Sequence, residues 1–281
     1  MKIGKYTLEI LEAGSFALDG GAMFGIIPRP LWEKENPADG KNRIKLSTRC
    51  LLLTSEDRKV LVDTGMGDKW DEKSYNIYDI HMPGSLTDLL GQRGIRSEDI
   101  TDVILTHLHF DHTGGSTRYV DGKLVPSFPN ATYYVQKKNL DWALSPSDRD
   151  KGSYIKDNFV PLLEHGVLKF FDGNQAFDEN IELIEMNGHT FGQQLVKISD
   201  GENTFVYCGD LIPLASHTHL PYIMGYDLQP LVTLEEKKSL LTKAAEGNWK
   251  LIFEHDPYSA CATVTLTDKG FKIKERYDTL L

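Results

Sequence analysis

Thr106-His107-Leu108-His109-Phe110-Asp111-His112-Thr113-Gly114-Gly115 is the stretch whose reading decides the fold. Just before it, Ile100–Leu105 is short and apolar, the signature of a buried strand. Side chains alternate along extended backbone, so His107 and His109 emerge on one side as that strand ends. Asp111 and His112 follow, and the glycine pair lets the chain turn sharply after them. Four potential ligands thus leave one strand end together. Imidazole and carboxylate suit Zn²⁺, and also Mn²⁺, Fe²⁺, Co²⁺ or Ni²⁺. A lone histidine at a strand end is ordinarily a surface or satisfied core residue. Three histidines and an aspartate, set between an apolar strand and two glycines, are read as a metal site.

A pair of metals needs about seven ligands, each ion keeping a position open for water. With nine histidines in the chain, the candidates for the remainder are few. His189 sits in Asn187-Gly188-His189-Thr190, a tight turn between two expected strands. Asp210 and His255 each close an apolar run, Thr204–Cys208 and Leu251–Glu254. Strand ends along one rim of a sheet are where α/β enzymes gather catalytic groups. These three residues complete a two-metal set.

The rest of the chain is read as one α/β domain, residues 1–281. Strands are expected over 2–12, 43–54, 59–63, 132–135, 181–186, 194–198, 263–267 and 271–274. Helices are expected over 85–93, with Ser85 as N-cap, from 136 to 144, and over 234–246. In the last, Thr233 and Glu236 occupy the positions of a capping box. The polar stretch 145–158 is expected to be looped and then helical. Residues 13–32, rich in glycine, proline and apolar side chains, are expected to be a loop: a pocket wall, or a contact between copies in a homodimer. Interspersed helices among more numerous strands point to layered mixed sheets.

A net charge of −10 argues against a nucleic-acid partner, which would need clustered Lys and Arg. No apolar run is long enough to span a bilayer, so no membrane partner is expected. The opening MKIGKYTLEI has no apolar core of a secretory leader, which makes the cytoplasm the expected compartment. Cys50, Cys208 and Cys261 form no CxxC pair and are expected to be reduced and buried.

The run H-x-H-x-D-H, followed downstream by His, Asp and His, resembles the signature of the metallo-β-lactamase superfamily. His189 lies 80 residues after His109, Asp210 a further 21, and His255 a further 45. Leu61-Val62-Asp63-Thr64-Gly65 is similar to the LxDTG strand end of the same superfamily. The resemblance implies an αββα sandwich of two mixed sheets flanked by helices. It implies one ion on His107, His109 and His189, a second on Asp111, His112 and His255, and Asp210 bridging them. Zinc is the expected metal, with a hydroxide between the two ions. Asp63 would orient the ligand loop from behind. Asp111 and Asp210 are the implied catalytic carboxylates.

Within the superfamily, Asp19–Trp32, the stretch Asp210-Leu211-Ile212-Pro213 with His217 and His219, and the pair His255-Asp256 resemble the YtnP-type quorum-quenching lactonases. These open the ring of N-acyl homoserine lactones. The related methyl parathion hydrolases cleave phosphotriesters. The substrate implied is a small lactone or ester, in a pocket drawn from Met23, Phe24, Trp32, His217 and Tyr226. Other acyl-homoserine lactonases carry a tyrosine where this chain has Pro213. The alternatives on the same fold are a thioesterase of the glyoxalase II type, since Lys269–Arg276 holds four basic residues, and a phosphotriesterase or arylesterase. The non-enzymatic alternative is a ligand-binding protein with structural metals.

Overall fold

The computed structural model describes residues 1–280. Two seven-stranded sheets dominate. The first contains β1 (Lys2–Ile3), β2 (Tyr6–Asp19), β3 (Arg43–Thr54), β4 (Lys59–Val62) and β5 (Asp102–Ile104). A separate hairpin of β6 (Thr117–Val120) and β7 (Lys123–Pro126) precedes its last two strands, β8 (Thr132–Gln136) and β9 (Leu168–Phe171). The second sheet runs in chain order through β10 (Gln175–Ala176), β11 (Ile181–Met186), β12 (Gln193–Ser199), β13 (Thr204–Tyr207), β14 (Lys250–Ile252), β15 (Cys261–Thr267) and β16 (Gly270–Tyr277). Both sheets are mixed. Strands β4, β5, β8 and β9 run parallel, as do β13 and β14, and the other pairings are antiparallel.

Alternation along single strands builds the layers. In β4, Val60 and Val62 face the second sheet, where they meet Phe205, Tyr207 and Ile252. Leu61 faces the other way, into a helical layer with Leu86, Leu90, Leu140 and Leu162. On the second sheet, Val206 and Leu251 turn outward onto Leu240, Leu241 and Ala244. The order of layers is therefore helix, sheet, sheet, helix. The outer helices are α4 (Leu86–Gly91), α6 (Lys137–Leu144) and α7 (Val160–Glu164) on one side and α8 (Pro230–Gly247) on the other. Four short helices lie elsewhere: α1 (Gly20–Phe24), α2 (Arg29–Trp32), α3 (Glu72–Tyr78) and α5 (Phe110–Thr113).

The structure corrects the sequence reading at three places. β2 continues to Asp19, through about the first third of the expected loop, because Phe16 and Ala17 are buried and every residue from Gly14 on pairs with β3. The rest of 13–32 folds back as α1 and α2, burying Met23, Phe24 and Trp32 and leaving Ile26 and Leu31 exposed. α8 begins a turn before the expected start, with Pro230 in its first turn. Thr233 is thus inside the helix, and the Glu236 carboxylate reaches another segment instead of its own N-terminus. Residues 145–158 form two short 3₁₀ turns, Lys151–Ser153 and Lys156–Asn158, in place of a helix. The Ser85 cap is present as a full capping box with Asp88.

The inter-sheet layer should dominate stability. Phe205→Ala empties a fully buried site between the sheets and should cost about 3–5 kcal/mol. Leu266→Ala, on an exposed position of β15, should change stability by less than about 0.5 kcal/mol. Chemical denaturation of the two variants checks the contrast.

Candidate metal centre

The site forms where β4, β5, β13 and β14 end and where the β11–β12 turn comes alongside. Asp63 follows β4 directly and adopts a left-handed φ of 56°. Its main-chain N–H extends the pairing with β5 by donating to Ile104 O at 2.9 Å. Its carboxylate accepts from the Thr106 N–H and the Thr106 hydroxyl, both at 2.7 Å. The side chain thus continues a ladder that the backbone can no longer make. Thr64 N then donates to His112 O at 2.8 Å, which fixes the far end of the histidine run. Gly114 is required here, because a Cβ on it would lie 1.7 Å from Met66 O.

Within the run, His107 and His109 leave extended backbone, and α5 begins immediately after His109, carrying Asp111 and His112. Asn139 on α6 accepts from Leu108 N at 2.9 Å and donates to Phe191 O at 2.8 Å. It therefore holds the run against the turn that presents His189. That turn is fixed from α8. Glu236 accepts from Asn187 N and Gly188 N at 2.7 and 3.0 Å. A Cβ on Gly188 would meet Thr233 N at 2.4 Å, so helix and turn approach as closely as backbone allows.

Two clusters of donor atoms result. His107, His109, His189 and Asp210 form one, and Asp111, His112 and His255 the other. In the first, His109 Nδ1 lies 2.9 Å from His107 Nε2 and 3.1 Å from His189 Nε2. In the second, His255 Nε2 lies 3.3 Å from His112 Nε2. Asp210 addresses both, with Oδ2 3.2 Å from His189 Nε2 and Oδ1 3.1 Å from His255 Nε2. Asp111 Oδ2 is 3.7 Å from His255 Nε2 and 3.9 Å from His112 Nε2.

The other face of four of the five imidazoles is fixed, and His109 Nε2 is buried without a partner. His189 Nδ1 bonds Asp227 at 2.8 Å, His255 Nδ1 donates to Ser47 O at 2.8 Å, and His107 Nδ1 lies 3.1 Å from the Thr106 hydroxyl. His112 Nδ1 lies between Asp63 at 3.0 Å and Glu254 at 2.9 Å. These contacts leave the inward nitrogens as lone-pair donors facing one another, which protons alone satisfy poorly and a cation satisfies well. Asp210 Oδ1 is buried without a hydrogen-bond partner. The donor set fits divalent cations, and the family match below implies them.

The electrostatics of these side chains point the same way. Burial and neighbouring imidazoles hold His107 and His109 well below the usual histidine range. Burial also opposes charge on His112 and His255, but carboxylates outweigh it: Glu254, Asp111 and Asp210 raise His112, and Asp210 raises His255 to about 9. Burial would raise Asp210, yet His112, His189 and His255 together hold it well below the carboxylate range. The carboxylates thus favour positive charge among these rings, which a cation there would supply. Burial pushes Glu254 up to about 8, a carboxyl kept neutral behind His112.

A cavity of about 230 Å³ opens onto His109, Asp111, His189, Asp210 and His255. Its other walls include Met23, Met224, Leu46, Tyr78, Tyr226 and Arg149. Of the residues expected to touch substrate, Met23 and Tyr226 are on this wall. Phe24, Trp32 and His217 are not. They stack behind it, with ring centroids 5.2 Å apart for Phe24–Trp32 and 4.9 Å for Phe24–His217. All three are buried, and His217 Nε2 donates to Met23 O at 2.8 Å, so they back the wall instead of forming it. Sequence reasoning missed Tyr78, Arg149, Asp227 and Glu254 as site residues. Their partners are distant in sequence and belong to no local pattern, although the position of Glu254 beside His255 was a signal.

Comparison with known proteins agrees with this architecture. The family model "Metallo-beta-lactamase superfamily" matches residues 43–255. A "Probable metallo-hydrolase" of Mycobacterium tuberculosis is 28% identical over 244 residues, 76% of each chain. An "N-acyl homoserine lactonase" of Bacillus sp. is 25% identical over 165 residues, 55% of this chain and 59% of its own. A probable metal-dependent hydrolase from Staphylococcus aureus superposes with a TM-score of 0.90 at 27% identity, covering 100% of both chains. AidC, described as a dizinc quorum-quenching lactonase in complex with a product, superposes with a TM-score of 0.81 at 23% identity, covering 97% of this chain and 95% of its own. With the family model spanning most of the chain, including all the clustered histidines and aspartates, the protein belongs to the metallo-β-lactamase superfamily.

Proposed function

We propose that the chain is a two-metal hydrolase that opens the lactone ring of N-acyl homoserine lactones. The observation that carries this reading is Asp210, whose two oxygens address separate donor clusters on the floor of one cavity. His107, His109 and His189 would hold one ion, Asp111, His112 and His255 the other, and Asp210 both. Two such ions supply Lewis acidity for a carbonyl and bring a water toward ionisation near neutral pH. Zinc is the metal we expect, by likeness to the dizinc lactonase.

The chain's own groups account for the rest. Water adds across the ester: its oxygen bonds the carbonyl carbon, the ring C–O bond breaks, and a proton reaches the departing alkoxide. Asp111, a member of the second donor cluster, also lines the cavity, and we assign to it the carriage of that proton. Tyr226 lies on the same wall, and burial raises its hydroxyl above the usual tyrosine range, so it stays a hydrogen-bond donor. Met23, Met224, Leu18 and Leu46 give the cavity an apolar side suited to an acyl chain. The basic residues of Lys269–Arg276 lie on and beside β16, and none lines this cavity, which weighs against the glutathione thioester alternative.

A lactone panel of varied acyl length, set against an arylester, a thioester and a phosphotriester, tests the substrate. Turnover should be highest on the lactones, vanish with a chelator and return with added metal. A fully metallated protein inert on all four classes would refute the reading. His109→Ala should lower turnover by at least about 10³-fold with the fold retained by circular dichroism.

Asp227→Ala frees the His189 ring and should weaken metal binding by about 10–100-fold, read by competition with a chromogenic chelator. Metal uptake by the bare protein should release protons. At pH 7 His255, raised to about 9, carries a proton on Nε2 that it must lose to donate there. Metal affinity should therefore rise with pH up to about 9, where His255 loses its proton unaided, which calorimetry in buffers of different ionisation heat will show.

A further inference from the structure

The buried stripe of α8 consists of Thr233, Lys237, Leu240, Leu241 and Ala244. The spacing is that of a helix face packed on a sheet, and Lys237 occupies a position where an apolar side chain would be ordinary. It is completely buried. Taking an ammonium out of water is costly unless its N–H groups are matched. Here all three are: Lys237 Nζ donates to the carbonyls of Tyr222, His219 and Leu220, at 2.5, 3.0 and 3.3 Å. Those carbonyls belong to an irregular segment that no strand pairs with.

That segment carries one wall of the cavity. Tyr222 packs edge-on against Phe24, with ring centroids 5.7 Å apart. Gly225 N donates to Ala22 O at 2.7 Å, and a Cβ on Gly25 would meet Ile223 O at 2.5 Å. Residues 217–226 and 20–32 thus interlock, and the wall residues Met23, Met224 and Tyr226 project from the pair. Adjacent to Lys237, Glu236 points elsewhere and holds the Asn187–Gly188 turn that presents His189. Two consecutive helix residues therefore secure two different parts of one site.

We propose that Lys237 is a positioning residue for the substrate wall, setting how tightly substrate is held, while its neighbour Glu236 sets how firmly the His189 turn is held for the metal. The assignment rests on the hydrolase reading for its kinetic arm only. A cage of three carbonyls recognises one placement of the segment and penalises others, because any shift leaves buried N–H donors short of partners. A methionine of similar length would fill the space and remove that selection.

The test compares Lys237→Met, Lys237→Arg and Glu236→Gln with the parent, each loaded with zinc. Amide exchange by mass spectrometry, metal content and steady-state kinetics on N-hexanoyl homoserine lactone are the readouts. Lys237→Met should speed exchange in 217–226, leave metal content unchanged, and raise KM about tenfold with kcat within about twofold. Lys237→Arg, which keeps N–H donors at the end of a long side chain, should recover part of the exchange protection. Glu236→Gln should speed exchange at 187–190 and lower metal affinity, with 217–226 unaffected.

Unchanged exchange in 217–226 and unchanged KM for Lys237→Met would overturn the proposal. So would loosening spread over the whole domain with metal loss, or a Lys237→Met chain that does not fold, since either makes the lysine a general stabiliser. If the parent turns over no lactone, the functional reading fails by itself, and exchange and metal content still decide between the two roles.

Discussion

The Asp63 carboxylate is the constraint on which the rest of the site depends. Two parallel strands end there, and their last backbone groups would otherwise be stranded in a water-free interior. Asp63 takes both hydrogens that Thr106 offers and stands 3.0 Å from His112 Nδ1. One side chain thereby terminates β4, aligns the start of the histidine run and orients a ring at its end. The left-handed backbone at this residue is strain accepted for that placement. Asp63 holds His112 from behind, with Glu254 2.9 Å from the same nitrogen, and the ring's other nitrogen is left facing His255.

The layers were legible in the sequence because strand alternation is a local property. Val60, Leu61 and Val62 divide between two cores as the pattern HHH within a short apolar strand allows, and the ends of most strands could be read to within a residue or two. The donor residues were legible because the run concentrates four of them at one strand end. Long-range partnership was not. Thr233 and Glu236 have the spacing of a capping box, and nothing local distinguishes that from two residues one turn inside a helix whose carboxylate serves a neighbouring loop. The same blindness hid Asp227, whose partner His189 is far back along the chain. For Phe24, Trp32 and His217, apolar composition marked the wall correctly but could not say which side of it each ring occupies.

The wall and the donor clusters are built by different physics. His112, His189 and His255 are fixed by carboxylate or main-chain hydrogen bonds behind them, so small displacements of these donors are costly. The wall is fixed by stacked rings, a glycine contact and one lysine, around methionines that adapt to what they touch. Rigidity is thus concentrated where a reacting atom must be placed, and tolerance where an acyl chain would lie.

The donor clusters also draw on both sheets, His107 and His109 from the end of the first, Asp210 and His255 from the second. An ion shared among them would be a cross-link between distant parts of the chain, closing a loop of the kind that disulfides close in secreted proteins. All three cysteines of this protein are free and buried, too far into separate layers to serve that purpose. On the two-metal reading, the tie between the two halves would respond to metal supply and not to redox potential, so that starvation for the cation would act on the lifetime of the folded chain as well as on its catalysis.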